Sequence, residues 1–92
     1  MGLSQRGAED HEQAKQAELA EEAKRIRRLQ FLIDMTLSVI CQDPNMSLEE
    51  AAEMAAGARR AALAMFPGKE LAFDLIYRPR FQRIINERYR LQ

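Results

Sequence analysis

The chain has 92 residues, enough for one small domain near the lower size limit of a single hydrophobic core. Its 14 acidic and 14 basic side chains balance, so no overall charge attracts it to nucleic acid or to an anionic membrane. Strand-forming residues are few and never alternate, whereas alanine, leucine, glutamate and arginine are abundant, which predicts an all-α fold.

The first part of the chain predicts one long helix with a polar start and a buried end. Residues 1–8 contain two glycines and no periodicity, so we expect a loose tail there. Strong helix formers dominate from Glu9 onwards, and the helix should run over residues 9–42 until Pro44 stops it. Within it, the stretch Leu29–Cys41 is apolar around most of its circumference, so it needs cover on at least two flanks.

Apolar residues of this helix, with one glutamine among them, also keep a heptad spacing, which is typical of helices that pair. Intervals of four and three residues separate Leu19, Ala23, Ile26, Gln30, Ile33, Leu37 and Ile40. The short helices expected later in the chain offer too little surface to cover the central stretch. We therefore predict a homodimer in which the first helices pair. The predicted interface consists of Leu29, Leu32, Ile33, Leu37 and Ile40.

A capping box predicts the start of a second helix over residues 47–66. The Ser47 hydroxyl can accept a hydrogen bond from the Glu50 amide while the Glu50 carboxylate reaches back to Ser47. Met46 and Ala51 occupy the positions of a hydrophobic staple. The buried side of this helix is built largely of alanine, which allows close approach to the first helix in a hairpin.

The remaining chain predicts a kinked pair of short helices. Pro67-Gly68 ends the second helix, and apolar residues then support helices over residues 69–77 and 79–90, with Pro79 as the first residue of the last helix. Residues 9–92 are therefore predicted to form one all-α domain, a small bundle of three to four helices.

The segment Ser47–Leu63 (SLEEAAEMAAGARRAAL) resembles the helix-turn-helix of small regulators and excisionase-like proteins. In that motif a glycine turn leads to a recognition helix, so the resemblance implies DNA contacts from Arg59 and Arg60. The segment departs from the motif in three ways: one extra residue before Gly57, no helix-capping serine after it, and only two side chains able to reach bases. A single alanine-rich helix that tolerates Gly57 fits the residues better.

Residues capable of chemistry are sparse. His11 is the only histidine and Cys41 the only cysteine, which leaves no metal site or serine triad of usual composition. We interpret His11 as a solvated helix residue and Cys41 as a small buried core residue. Asp34 should pair with an arginine such as Arg78 or Arg80. The sequence therefore predicts a non-enzymatic protein with no cofactor, metal or small-molecule substrate.

The charges fall in blocks of alternating sign. Residues 1–23, 24–28, 29–58 and 59–92 carry net charges of −4, +4, −5 and +5. Such blocks pair with each other, within or between subunits, more often than they recruit an outside partner. An arginine cluster near the C-terminus has the composition of a face for a polyanion or an acidic partner, and it consists of Arg78, Arg80, Arg83, Arg88 and Arg90.

These patterns predict a helical protein–protein interaction module, a small adaptor or regulatory subunit that forms a homodimer. The alternative is a small nucleic-acid-binding regulator that uses Arg59, Arg60 and the C-terminal arginine cluster. The chain has neither an apolar stretch of about 18 residues nor the apolar region of a signal peptide, so we expect no membrane contact and a cytoplasmic location.

Overall fold

The computed structural model describes residues 2–90, and it describes side chains from Asp10 onwards. Over this range the chain forms four helices and no strand: α1 (Gly2–Gln42), α2 (Leu48–Met65), α3 (Glu70–Ile76) and α4 (Arg78–Tyr89). The prediction of an all-α bundle, with a long first helix, an alanine-rich second helix and a kinked C-terminal pair, is confirmed.

Helix α1 has 41 residues, and its length of about 60 Å accounts for most of the 69 Å long axis of the molecule. It begins at Gly2, so residues 2–8 are helical where the sequence predicted a loose tail. Once a helix has formed, each further residue adds a hydrogen bond, which lets it extend through a segment without apolar periodicity. Met1 lies outside the described residues. All side chains of residues 10–22 are exposed, and we call this segment the arm.

A short connection joins α1 to α2. The Asp43 amide donates to the Val39 carbonyl at 3.0 Å, and the Asn45 amide donates to the Asp43 carboxylate at 3.0 Å. Ser47 caps α2 as predicted, because its hydroxyl oxygen accepts from the Glu50 amide at 3.1 Å. The Glu50 carboxylate accepts from the Ser47 hydroxyl at 3.2 Å, a contact that differs from the expected bond to the backbone amide.

The core lies where α2 and α4 pack on the C-terminal half of α1 and α3 packs against α2 and α4. Its buried apolar side chains are Ile33, Ile40, Met46, Ala51, Ala58, Ala62, Phe73 and Phe81. The alanines of α2 allow its axis to approach α1 closely. Thr36 is buried as well, and its hydroxyl donates to the Leu32 carbonyl at 2.7 Å, so this polar group is satisfied within α1.

Helix α2 runs unbroken through Gly57 to Met65. The segment that resembles a helix-turn-helix is therefore a single helix, and Arg59 and Arg60 lie within it and not on a separate recognition helix. A β-carbon at Gly57 would contact only the end of the Arg60 side chain, at 3.6 Å. The glycine is thus accommodated in the helix without marking a turn.

The C-terminal half turns sharply twice. Gly68 follows α2 with a φ of +78°, a conformation that glycine adopts without steric cost. Helix α3 then ends at Ile76 and α4 begins at Arg78. Pro79 lies in the first turn of α4, where its missing amide loses no helical hydrogen bond.

Candidate functional site

The residues predicted to form the dimer interface are buried or partly buried within one copy of the bundle. Ile33 and Ile40 have no exposed surface, while Leu29 and Leu37 pack against the core and are partly buried, as is Leu32. A second copy could not contact Ile33 or Ile40 without opening the bundle. This part of the expected interface is therefore corrected to core. The short helices cover more of α1 than their length suggested, because alanines bring α2 close to it.

Three of the exposed apolar residues of α1 lie on the side of the helix opposite Ile33 and Ile40, whereas exposed Leu19 and Ile26 lie on the same side as Ile33. Phe31, Met35 and Val39 are 66%, 49% and 37% exposed. At about 100° per residue, Met35 points away from both Ile33 and Ile40. We call Phe31, Met35 and Val39 the outer row. All three belong to the stretch Leu29–Cys41, which is apolar around most of its circumference. Only the packing of α2 decides which side of that stretch remains exposed to solvent.

A second exposed apolar surface belongs to α3. Leu71, Leu75 and Ile76, which we call the α3 apolar face, are 73%, 69% and 58% exposed. Phe73 is the buried residue of this short helix. A groove of about 410 Å³ runs beside the face, between α1, the end of α2 and α3. Its apolar lining includes Ile26, Leu29, Leu63 and Phe66.

A pocket of about 490 Å³ between α2, α3 and α4 contains an ion pair. Arg59 donates to Asp74 through Nε at 2.9 Å and through Nη2 at 3.1 Å. These hydrogen bonds, with a smaller contribution from the charge of Arg78, lower the pKa of the Asp74 carboxyl. Both carboxylate oxygens of Asp74 are therefore engaged by the Arg59 guanidinium.

The other arginine expected to contact DNA is also engaged within the chain. Arg60 Nη2 lies 2.8 Å from Glu53 Oε1 on the surface of α2. With Arg59 bound to Asp74, both side chains that the helix-turn-helix resemblance implied for base contacts have carboxylate partners. Either would have to exchange that partner for a base or a phosphate.

The C-terminal arginines likewise contact their own chain. Arg80 lies 3.4 Å from Asp34, which confirms the prediction that Asp34 pairs with an arginine such as Arg80. Arg83 pairs with Glu87 at 3.2 Å along α4. Arg78 precedes Arg80 by two positions, so it points to a different side of the helix. Arg80 and Arg83, three positions apart, share one side of α4, whereas Arg78 lies on another, so only part of the cluster is gathered on one face.

Arg88 has a structural role that the sequence did not indicate. Its guanidinium donates to the backbone carbonyls of Ile40 and Asp43, at the end of α1. The neighbouring Tyr89 hydroxyl donates to the Met46 carbonyl oxygen at 2.8 Å. The last turn of α4 therefore clamps the α1–α2 connection. The contacts join residues more than forty positions apart, and no local pattern marks such a pair.

The two lone reactive residues form no site together. His11 is exposed on the arm, as its interpretation as a solvated residue requires. Cys41 is exposed and not buried, which corrects the expectation of a core residue. It follows Ile40, and a step of about 100° turns it away from the core. Residues 10–90 contain no group of three or more histidine, cysteine or acidic side chains that could hold a metal ion.

Known proteins give no guide to the role of the exposed surfaces of this chain. No family model, curated protein or solved structure matches this chain. Within the described part of the chain, no helix has the length and apolar character needed to cross a membrane. The exposed large apolar side chains of that part are those of the outer row and the α3 apolar face, together with Leu19 and Ile26 of α1.

Proposed function

We propose that this chain is a non-enzymatic helical interaction module, a small adaptor or regulatory subunit that works as a homodimer. The observation that carries the proposal is the exposure of the outer row along one side of α1. Burying one large apolar side chain stabilises an association by about 1.5–3 kcal/mol. Single exposed apolar residues are common on protein surfaces, whereas a contiguous apolar patch marks an interaction site.

The polar groups support a non-enzymatic role. Asp74 accepts two hydrogen bonds from Arg59, and His11 lies on the arm at a distance of many helical turns from that pair. Cys41 is on α1 beyond the outer row. His11, Cys41 and Asp74 therefore lie apart from one another, which supports a non-enzymatic role.

The arginine contacts support nucleic-acid binding less than the exposed apolar residues support self-association. Phosphate contacts need cationic groups on one surface. Of the arginines named for that alternative, Arg59, Arg60, Arg80 and Arg83 have carboxylate partners and Arg88 binds backbone carbonyls. We extend the proposal to a reducing compartment such as the cytoplasm, since Cys41 is an exposed thiol in a chain with no second cysteine.

The deciding experiment is the absolute molar mass in solution, measured by light scattering after size exclusion over a range of concentrations. The unmodified chain should have about twice its monomer mass of 10.6 kDa. Phe31→Glu should shift it to monomer, because the variant places a charge in the buried centre of the contact. Gln30→Glu, at the exposed neighbouring position, is the matched control and should remain a dimer.

Two results would contradict the proposal. A monomeric unmodified chain at tens of micromolar would remove self-association. A salt-dependent shift of labelled duplex DNA that is lost in the combined variant Arg80→Ala, Arg83→Ala and Arg90→Ala would favour the nucleic-acid alternative. Circular dichroism of each variant establishes that its helices are retained.

A further inference from the structure

We infer that Phe31 and Met35 of the outer row of one copy contact the arm of a second copy, with the two α1 helices antiparallel. The inference rests on the proposed homodimer and names the surfaces that meet in it. The partner that covers the outer row is a second copy of this chain. The physical basis of the inference is an exposed heptad row, a contrast in side-chain size along that row, and a reversal of charge within α1.

An unbroken exposed row follows α1 on the side away from the bundle. Intervals of four and three residues separate Asp10, Ala14, Ala17, Glu21, Lys24, Arg28, Phe31 and Met35. Every one of these side chains is exposed, and the row continues to Val39. Heptad spacing keeps such a row on one side of a helix that pairs with another. Since the rest of the bundle covers the side of Ile33 and Ile40, a second helix can lie along the row without displacing it.

The two ends of this row differ in size. The arm contributes the small side chains Ala14 and Ala17, whereas the other end contributes Phe31 and Met35. A parallel pair would place large beside large and small beside small. An antiparallel pair can place the small Ala14 opposite the large Phe31, which fills the contact there better than two large or two small side chains would.

The charges favour the same direction. Residues 10–22 carry five acids and one lysine, and residues 24–28 carry four bases. In a parallel pair the acidic block of one copy would face the acidic block of the other, and the basic block would face the basic block. In an antiparallel pair the acidic arm of each copy faces the basic segment of the other, so the attraction occurs twice by symmetry. A register with Glu21 opposite Lys24 also sets Ala14 opposite Phe31.

The contacts within one chain leave these charges available. Glu21 and Lys24 are 3.5 Å apart, but both are exposed at the surface. Arg25 lies over the Phe66 ring at 5.7 Å and is thus directed towards α2. The bases free to face a second copy are therefore Lys24, Arg27 and Arg28, all exposed.

Charge exchange tests the contact. The arm variant carries Glu18→Lys, Glu21→Lys and Glu22→Lys. The base variant carries Lys24→Glu, Arg27→Glu and Arg28→Glu. Each variant alone should have a dimer dissociation constant raised about tenfold or more at low salt, because like charges then face each other. An equimolar mixture of the two should dimerise again, since opposite charges face each other at both ends of the mixed pair. A parallel pair predicts no loss in either variant alone.

A distance measurement gives the direction of pairing independently. A spin label at Gln13→Cys, in a Cys41→Ser chain, lies beside the row on the arm. In the register described, the two labels are separated by about 28 Å along the helix axes. A parallel pair brings them to about 10 Å, the distance between packed helices.

The outcomes separate this inference from the proposed function. A dimer whose labels lie about 10 Å apart, or whose charge variants dimerise like the unmodified chain, overturns the antiparallel contact and leaves the homodimer standing. So does a dimer that Leu71→Glu dissociates and Phe31→Glu does not, because its contact would be the α3 apolar face. A monomeric unmodified chain overturns the proposed function itself.

Discussion

Arg59 and Asp74 join α2 to α3 through two parallel hydrogen bonds of 2.9 and 3.1 Å. Bidentate contacts of this kind fix orientation as well as distance. Helix α3 has seven residues and buries only Phe73, so the ion pair supplies the second attachment that a short helix needs. Its placement decides that Leu71 and Leu75 face outwards.

We expect Asp74→Asn to lower the free energy of unfolding near neutral pH. The Arg59 hydrogen bonds make the pKa of Asp74 lower in the folded chain than in the unfolded chain, where it is about 3.9. Such a group contributes stability above its unfolded pKa and loses that contribution as the pH falls through its folded pKa. The difference between variant and unmodified chain should therefore shrink as the pH is lowered below about 5. Urea unfolding at a series of pH values measures it.

The control for this prediction is Glu53→Gln. It removes the partner of Arg60 in an ion pair that is far more exposed than that of Asp74. Exposed ion pairs contribute little to stability. We expect a smaller change, and equal losses in the two variants would show that the Asp74 contact has no special weight.

Gly57→Ala should stabilise the chain by about 0.5–1 kcal/mol, because alanine is the better helix former and the added methyl group meets only the end of Arg60. Gly68→Ala should do the reverse, at a cost of about 1–2 kcal/mol, since Gly68 has a φ of +78°. Thermal unfolding of the two variants gives the comparison. Destabilisation by Gly57→Ala would indicate a turn at that position and revive the helix-turn-helix interpretation.

Arg88→Met should destabilise the chain by about 1–3 kcal/mol, because it leaves the carbonyls of Ile40 and Asp43 without their charged donor. Methionine keeps much of the apolar stem, so the change tests the guanidinium contacts. Arg83→Met is the matched control on the same helix, where Arg83 has only the exposed partner Glu87. Similar unfolding midpoints in urea for the two variants would rule out a clamp at Arg88.

Local signals allowed much of the fold to be predicted. Ser47 and Glu50 are three residues apart, and the cap that they form depends only on that spacing. Pro44 and Pro79 act on their own backbone and on the preceding residue, so the end of α1 and the kink before α4 could be read directly. Alanine in α2 likewise predicted the close hairpin with α1.

The candidate surfaces were less predictable. Leu29–Cys41 is apolar on most sides, and its pattern alone does not tell which part a neighbouring helix covers. The sequence therefore predicted an interface containing Ile33 and Ile40, whereas those residues are core and Phe31 and Met35 are exposed. The same ambiguity led Cys41 to be predicted as buried.

The sequence by itself determined the helices, most of their ends though not the start of α1, and the alternation of charge along the chain, since each depends on residues within a few positions of one another. Only the tertiary structure decided which side of α1 remains open, that Arg59 binds Asp74, and that Arg88 holds the end of α1. Those contacts join residues from fifteen to almost fifty positions apart. Their geometry depends on how the helices pack, which helical periodicity does not encode.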